Sequence, residues 1–183
     1  MQEILKLEKK INEYIESNVT DEYEFTHTFA LGKILADSTK LFREEISKDI
    51  PYGRYLVFKN TNCNLQIDVF SKNYIGRIHN HETWGILSII KGTLKVNDYF
   101  IVKDELNLIR SSLLQRGSFS SFLQHSDLHS TETFSNEQAV SFHLYGKEFD
   151  IDNGLYYSSN NKKIQYKRGE LKNFSEISQL LML

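Results

Sequence analysis

One cysteine and one proline stand in the 183 residues of this chain, and neither sign of charge predominates. A lone thiol, Cys63, excludes an internal disulfide framework and any thiolate-rich zinc cage, and it suits a reducing compartment. No segment approaches the ~20 consecutive apolar residues of a membrane helix. The opening MQEILKLEKK mixes Glu and Lys with Ile and Leu and holds no apolar export signal, so a cytoplasmic location is expected, without membrane insertion. Lys plus Arg number 22 against 24 for Asp plus Glu, a net charge of −2 that offers no broad footprint for nucleic acid or an acidic membrane. Recognition is therefore expected to be local. The 40% apolar and 13% aromatic residues are enough to bury a core. A length within the usual ~100–200 residues of one domain predicts a single domain over 1–183, as a monomer or small homo-oligomer.

Apolar residues recur at spacings of three and four through Ile4, Leu7, Ile11, Tyr14 and Ile15, which predicts an amphipathic helix. Thr20, Asp21, Glu22 and Glu24 supply a cap and acidic first-turn residues for a second helix, with Phe25, Phe29, Leu31, Ile34 and Leu35 as its apolar face. Leu41, Phe42 and Ile46 fit a short third helix, and Pro51 ends the helical region. Beyond Pro51 the period becomes two, as in Leu65, Ile67 and Val69 alternating with Asn64, Gln66 and Asp68. Turn signals at 60–62, 72–73, 91–92, 97–98, 103–104, 116–117, 135–136 and 160–161 divide this part into about ten strands, which suits a barrel or jelly roll. The terminal Leu180-Leu181-Met182-Leu183 is expected to dock on the barrel.

In Gly76-Arg77-Ile78-His79-Asn80-His81 two histidines stand two positions apart, and strand alternation sends both to one face. Alone, the pair reads first as two half-exposed imidazoles on an edge strand. His129, about 50 residues on, is a candidate third ligand if the barrel folds its strands back, and three neutral imidazoles suit a first-row divalent metal with open positions. Glu82 follows His81 directly and should point to the opposite face. His27 reads as a solvated or capping histidine, and His125 as a barrel-rim histidine able to support His129. Ser141, His143 and Tyr145 occupy alternate positions of another strand. Facing solvent they are ordinary polar residues, and facing inward they form a hydrogen-bonded relay. Tyr52 and Arg54 share a face in the same way, with Arg54 either a solvated surface cation or a carboxylate grip.

Taken in order, Tyr52-x-Arg54-Tyr55-Leu56-Val57, His79-x-His81, His129 and Ser141-Phe142-His143-Leu144-Tyr145 resemble the cysteine dioxygenase family of small thiol dioxygenases, over about Tyr52 to Asp150. The resemblance implies a mainly β cupin fold, a double-stranded β-helix or jelly-roll barrel after an N-terminal helical region. It implies Fe(II) held by His79, His81 and His129, a substrate carboxylate bound by Arg54 beside Tyr52, and a catalytic series Ser141, His143 and Tyr145. Phe149-Asp150 also fits the family. The chain departs from mammalian members in lacking the cysteine, shortly after the HxH pair, that crosslinks to the tyrosine, so Tyr145 is expected unmodified and Cys63 simply buried. Thr83-Trp84-Gly85 resembles bacterial members, including 3-mercaptopropionate dioxygenases, in which glutamine usually replaces Arg54. Gly85 or Ile86 stands where the general cupin pattern has a glutamate, consistent with a three-histidine site.

The resemblance implies oxidation of a small thiol, foremost L-cysteine, by O2 to a sulfinic acid. Three neutral ligands leave the metal its full +2 charge, which favours capture of a thiolate, and leave positions for substrate and O2. The alternatives are 3-mercaptopropionate or another small thiol as substrate, a cupin that binds a metal or ligand without turnover, and a zinc isomerase or hydrolase on the same barrel.

Overall fold

The computed structural model describes residues 2–18, 25–45, 49–103, 105–124, 128–134, 136–147, 149–158 and 162–182. Helices α1 (Gln2–Ser17) and α2 (Phe25–Ser38) and a 3-10 turn (Thr39–Leu41) precede the strands. These are β1 (Gly53–Lys59), β2 (Cys63–Phe70), β3 (His79–Asn80), β4 (Gly85–Lys91), β5 (Thr93–Val102) and β6 (Glu105–Gln115). They continue with β7 (Phe119–Phe122), β8 (His129–Thr133), β9 (Ala139–Gly146), β10 (Asn153–Tyr157), β11 (Lys163–Lys167) and β12 (Leu171–Asn173). A second 3-10 turn (Phe174–Glu176) and α3 (Ser178–Leu181) follow.

The strands form two six-stranded sheets, ordered β12-β1-β2-β9-β4-β7 and β11-β10-β3-β8-β5-β6. From β2 to β5, and again from β6 to β10, each successive strand crosses to the other sheet. Every pairing is antiparallel except that of β1 with β12. This winding is a double-stranded β-helix.

The polar alternation of β2 and β9 is turned inward. Leu65, Ile67 and Val69 and their β9 neighbours Phe142 and Leu144 face the helices, where Ile4, Leu7, Ile11 and Ile15 of α1 and Leu31 and Leu35 of α2 join them in one buried cluster. Asn64, Gln66 and Asp68 take the other face, in register with Tyr145, His143 and Ser141. Helical cover thus satisfies the apolar face from outside and frees the barrel interior for polar groups. A smaller cluster, including Phe70, Leu87, Ile89, Leu94 and Val96, joins both sheets within the barrel.

Arg116 fastens the helical region to the sheets: its guanidinium donates to the carbonyls of Ile90 at 2.7 Å and of Thr39 and Phe42 at 2.8 Å. At the other end Leu181 is buried, and its carbonyl accepts from Arg43 N at 2.8 Å, so the terminal segment through Met182 docks as expected. Leu183 lies outside the described residues.

Several expectations change. Phe25 and Phe29 are 61% and 42% exposed, because the face of α2 that packs is Thr28, Leu31, Gly32 and Leu35. Gly32 admits the Phe119 ring, which any β-carbon there would overlap. In place of a third helix the chain makes a single 3-10 turn, and Phe42 then bridges Met182 in extended conformation. Ile46 and the expected cap of α2 lie outside the described residues. Asn97-Asp98 is not a turn but the middle of β5. Asn97 and Asp98 there bond laterally to Ser111 and Arg110 of β6, beside a bulge at Asp98/Tyr99. The described residues form twelve strands rather than about ten, the excess being pieces as short as β3 and β12.

Candidate metal centre

β3 is only two residues long, yet it fixes the centre. His79 pairs directly with His129 of β8 and, on its other side, with Tyr156 of β10. His81 follows two positions later, and its ring lies 4.8 Å from that of His79 and 5.2 Å from that of His129, centroid to centroid. One ligand nitrogen from each of the three lies within 4.8 Å of the others. Three imidazole nitrogens so gathered form a donor set that could hold one divalent ion.

His79 Nδ1 stands 2.8 Å from the Arg77 carbonyl, and since a carbonyl only accepts, Nδ1 is the protonated nitrogen and Nε2 the one presented for ligation. Burial holds His79 and His81 well below the ordinary imidazole range, and the proximity of the other histidines adds to it. Both are thus neutral, the form that binds a metal. All three donors are imidazoles, which suits zinc, copper, iron or nickel more than calcium or magnesium.

Aromatic rings wall the cluster. Phe122 stacks on His81 at 5.4 Å, and the Tyr145 ring lies 4.6 Å from His81 and 4.0 Å from Phe149, nearly parallel to the latter. Gly85 explains why no glutamate stands there: a β-carbon at 85 would overlap the Phe122 ring and lie 3.0 Å from Tyr145 Cδ1.

Ser141, His143 and Tyr145 face the interior, so the relay reading holds over the solvent-facing one. Ser141 Oγ lies 2.9 Å from His143 Nε2, and His143 Nδ1 lies 2.9 Å from the Tyr145 hydroxyl. Burial lowers the His143 pKa against the opposing pull of Asp68, and burial raises that of Tyr145, so the phenol stays protonated and able to donate. Cys63 lies on the helix-facing side of β2, apart from Tyr145, and burial pushes its thiol up to about 12.

These groups open on a cavity of about 310 Å³, at the small end of the range for small-molecule sites, lined by the three histidines, His143 and Tyr145 among others. Arg54 and Tyr52 line it too. Tyr52 sits at its mouth, 59% exposed. Of the five N–H groups of Arg54, Nη1 donates to the Gly169 carbonyl at 2.8 Å, Nη2 to that of Ile151 at 3.1 Å, and Nε and Nη2 to Gln66 Oε1, both at 3.3 Å. One Nη1 hydrogen remains for a ligand.

Two further arginines line the cavity and escaped sequence reasoning. Arg168 places Nη2 3.4 Å from His81 Nδ1 and packs over the Phe149 ring, while its Nε donates to the carbonyls of Asp150 and Asn153. Arg77 stacks over Tyr156. The position of Arg77 beside the HxH pair was a signal within reach. Arg168, some ninety residues from His79, had none. Glu82 pairs with Lys163 at 2.8 Å and does not join the cluster, as expected, although the cause is not strand alternation: β3 ends at Asn80 and Glu82 has a left-handed backbone, with φ 58°. His27 bonds Tyr14 between the two helices at 3.1 Å, and His125 lies outside the described residues.

No family model and no curated protein matches the sequence. Solved structures do. An RmlC-like cupin family protein from Methanocaldococcus jannaschii, described as a double-stranded β-helix, aligns with 57% of this chain and 87% of its own at 9% identity and a TM-score of 0.43. Hydroquinone 1,2-dioxygenase from Sphingomonas sp. TTNP3, solved with 4-hydroxybenzoate, aligns with 55% of this chain and 69% of its own at 12% identity and a TM-score of 0.44. The winding of the two sheets is itself that of a double-stranded β-helix. In this barrel the three-histidine cluster lies at the inner surface, with a metal-binding donor set and a ring-walled cavity beside it.

Proposed function

We propose that this protein is a cupin-type thiol dioxygenase that oxidises the sulfur of a small thiol carboxylate, foremost L-cysteine, to a sulfinic acid. The carrying observation is that two independent constellations, the imidazoles of His79, His81 and His129 and the relay of Ser141, His143 and Tyr145, meet at one cavity. A metal site that only stored its ion would have no use for the second.

Both oxygen atoms of O2 end on sulfur, R–SH + O2 giving R–SO2H, so no external reductant is required. Fe(II) held by His79, His81 and His129 would supply the redox chemistry and the positive charge that favours thiolate over thiol. Arg54, with its remaining N–H, and Tyr52 at the mouth fix the carboxylate end, and Arg168 adds positive charge on the histidine side. Tyr145, protonated and braced between the Phe149 ring and His143, donates a hydrogen bond toward the reacting sulfur. With the one phenolic proton directed at sulfur, His143 donates at Nδ1 to the Tyr145 oxygen and accepts at Nε2 from Ser141 Oγ. Phe122 and Phe149 keep bulk water from the sulfur.

An oxygen-electrode assay of the Fe(II)-loaded protein with cysteine, 3-mercaptopropionate and cysteamine tests the proposal. Thiol-dependent oxygen uptake with sulfinate as product is expected, and its absence with all three thiols overturns it.

A further inference from the structure

Capture of a thiol as thiolate frees one proton, R–SH giving R–S⁻ and H⁺, and the sulfinic acid formed at the end is itself ionised at neutral pH. That proton has to leave a cavity walled by aromatic rings. A path begins at the phenol: the Tyr145 hydroxyl lies 2.9 Å from His143 Nδ1, on the far side of which Nε2 lies 2.9 Å from Ser141 Oγ. Where the path ends depends on what stands beyond Nε2.

Asp68 of β2 stands there. It lines the cavity and pairs in the ladder with Ser141 of β9. Its Oδ2 lies 3.8 Å from His143 Nε2, and a side-chain shift of about 1 Å brings the two within hydrogen-bond reach. Its Oδ1 is sealed from solvent without a hydrogen-bond partner among the described residues. Arg54, its cross-strand neighbour on β1, is turned to Gln66 and two backbone carbonyls, so no ion pair with that guanidinium ties the carboxylate up. A carboxylate with acceptor capacity unfilled, beside an imidazole, is placed to take a proton. Its side chain is 17% exposed against 7% for His143, so it reaches the solvent that His143 largely does not.

We propose that Asp68 is the exit of a proton relay that carries the thiol proton from sulfur through Tyr145 and His143 to solvent. This rests on the thiol dioxygenase reading and adds a step to it. Before the thiol arrives, the phenol donates to Nδ1 and the imidazole proton sits on Nε2. In one concerted shift the S–H bond breaks as its proton bonds to the Tyr145 oxygen, the phenolic proton passes to Nδ1, and the Nε2 proton passes to Asp68 Oδ2. Negative charge thus moves from Asp68 to sulfur, and Asp68 regains it by releasing the proton to water. Nothing is oxidised or reduced. His143 ends as the other neutral tautomer, donating from Nδ1 and accepting at Nε2 from Ser141, with a phenolic proton again facing the sulfur.

Anaerobic stopped-flow mixing of the Fe(II) protein with cysteine or 3-mercaptopropionate, in weak buffer with a pH indicator, reads proton release without turnover. The second thiol has no ammonium proton to add. Asp68→Asn keeps the shape of the side chain and removes its basicity, and release is expected to slow at least about tenfold. Asp68→Glu keeps the acid and should recover most of the rate, whereas a merely structural aspartate would be replaced better by Asn. In mixtures of light and heavy water the wild-type rate should fall along a curve, the mark of several protons moving in one step. Unslowed release in Asp68→Asn overturns the proposal, and so does a loss that Asp68→Glu shares in full. A linear dependence on deuterium content in the wild-type protein overturns it whether or not the variants fold. Absence of thiol-dependent oxygen uptake by the wild-type protein overturns the dioxygenase reading instead, while proton release on thiol binding still decides the role of Asp68.

Discussion

Replacing Tyr145 with phenylalanine removes one oxygen and preserves the ring that packs on Phe149 at 4.0 Å and borders His81 at 4.6 Å. What is lost is the 2.9 Å hydrogen bond to His143 Nδ1, deep in the barrel where both residues are buried. A buried polar group deprived of its partner costs about 1–3 kcal/mol, so the urea midpoint of Tyr145→Phe should fall by the equivalent of that amount with an unchanged m-value. The catalytic loss is separate. A preorganised donor aimed at developing charge is worth about 10²–10³ in kcat, and oxygen uptake at saturating cysteine should decline by a factor in that range. His143→Leu in the Tyr145→Phe background should add less than it does alone, since the pair acts as a unit. Wild-type stability and wild-type kcat in Tyr145→Phe would refute the relay.

Three other perturbations probe the supports of the site. Gly85→Ala forces a β-carbon into the Phe122 ring and should cost about 1–3 kcal/mol in denaturant unfolding, with Phe122→Leu restoring part of it, whereas a neutral Gly85→Ala would place Phe122 elsewhere. Arg116→Met leaves the carbonyls of Thr39, Phe42 and Ile90 without their shared donor, and a loss of about 1.5–3 kcal/mol by the same measurement is expected. His81 and His143 are held neutral in the fold, so the unfolded chain takes up protons below ~6.5 that the native chain refuses. Stability of the metal-free protein, fully present above that pH, should therefore decline as pH drops from ~6.5 toward the folded values. A flat profile from pH 7.5 to 5 by urea titration would contradict this.

Alternation in β2 and β9 was legible in the residues, but which way it faced was not. The pattern Asn64-Leu65-Gln66-Ile67-Asp68-Val69 looks the same whether the polar side meets solvent or a cavity, and only the helices packed on Leu65, Ile67 and Val69 decide the matter. The same holds for Ser141, His143 and Tyr145. His79, His81 and His129 were found from their spacing and chemistry, and direct pairing of β3 with β8 accounts for their convergence. Arg168 and Phe122 could not be found that way, because Arg168 reaches the cavity, and Phe122 the His81 ring, from a loop and a strand end whose approach is set by tertiary packing alone. The exposed Phe25 and Phe29 show the converse failure, an apolar period shifted by the small residues Thr28 and Gly32, which do the packing on α2.

Iron stoichiometry after anaerobic Fe(II) loading and desalting, measured by mass spectrometry on the wild-type protein and on His129→Ala, bears most directly on the convergence of the three imidazoles. One iron retained per wild-type chain and little or none in the folded variant is the predicted result. Equal retention by the two proteins, or none by either, would contradict a centre built from His79, His81 and His129.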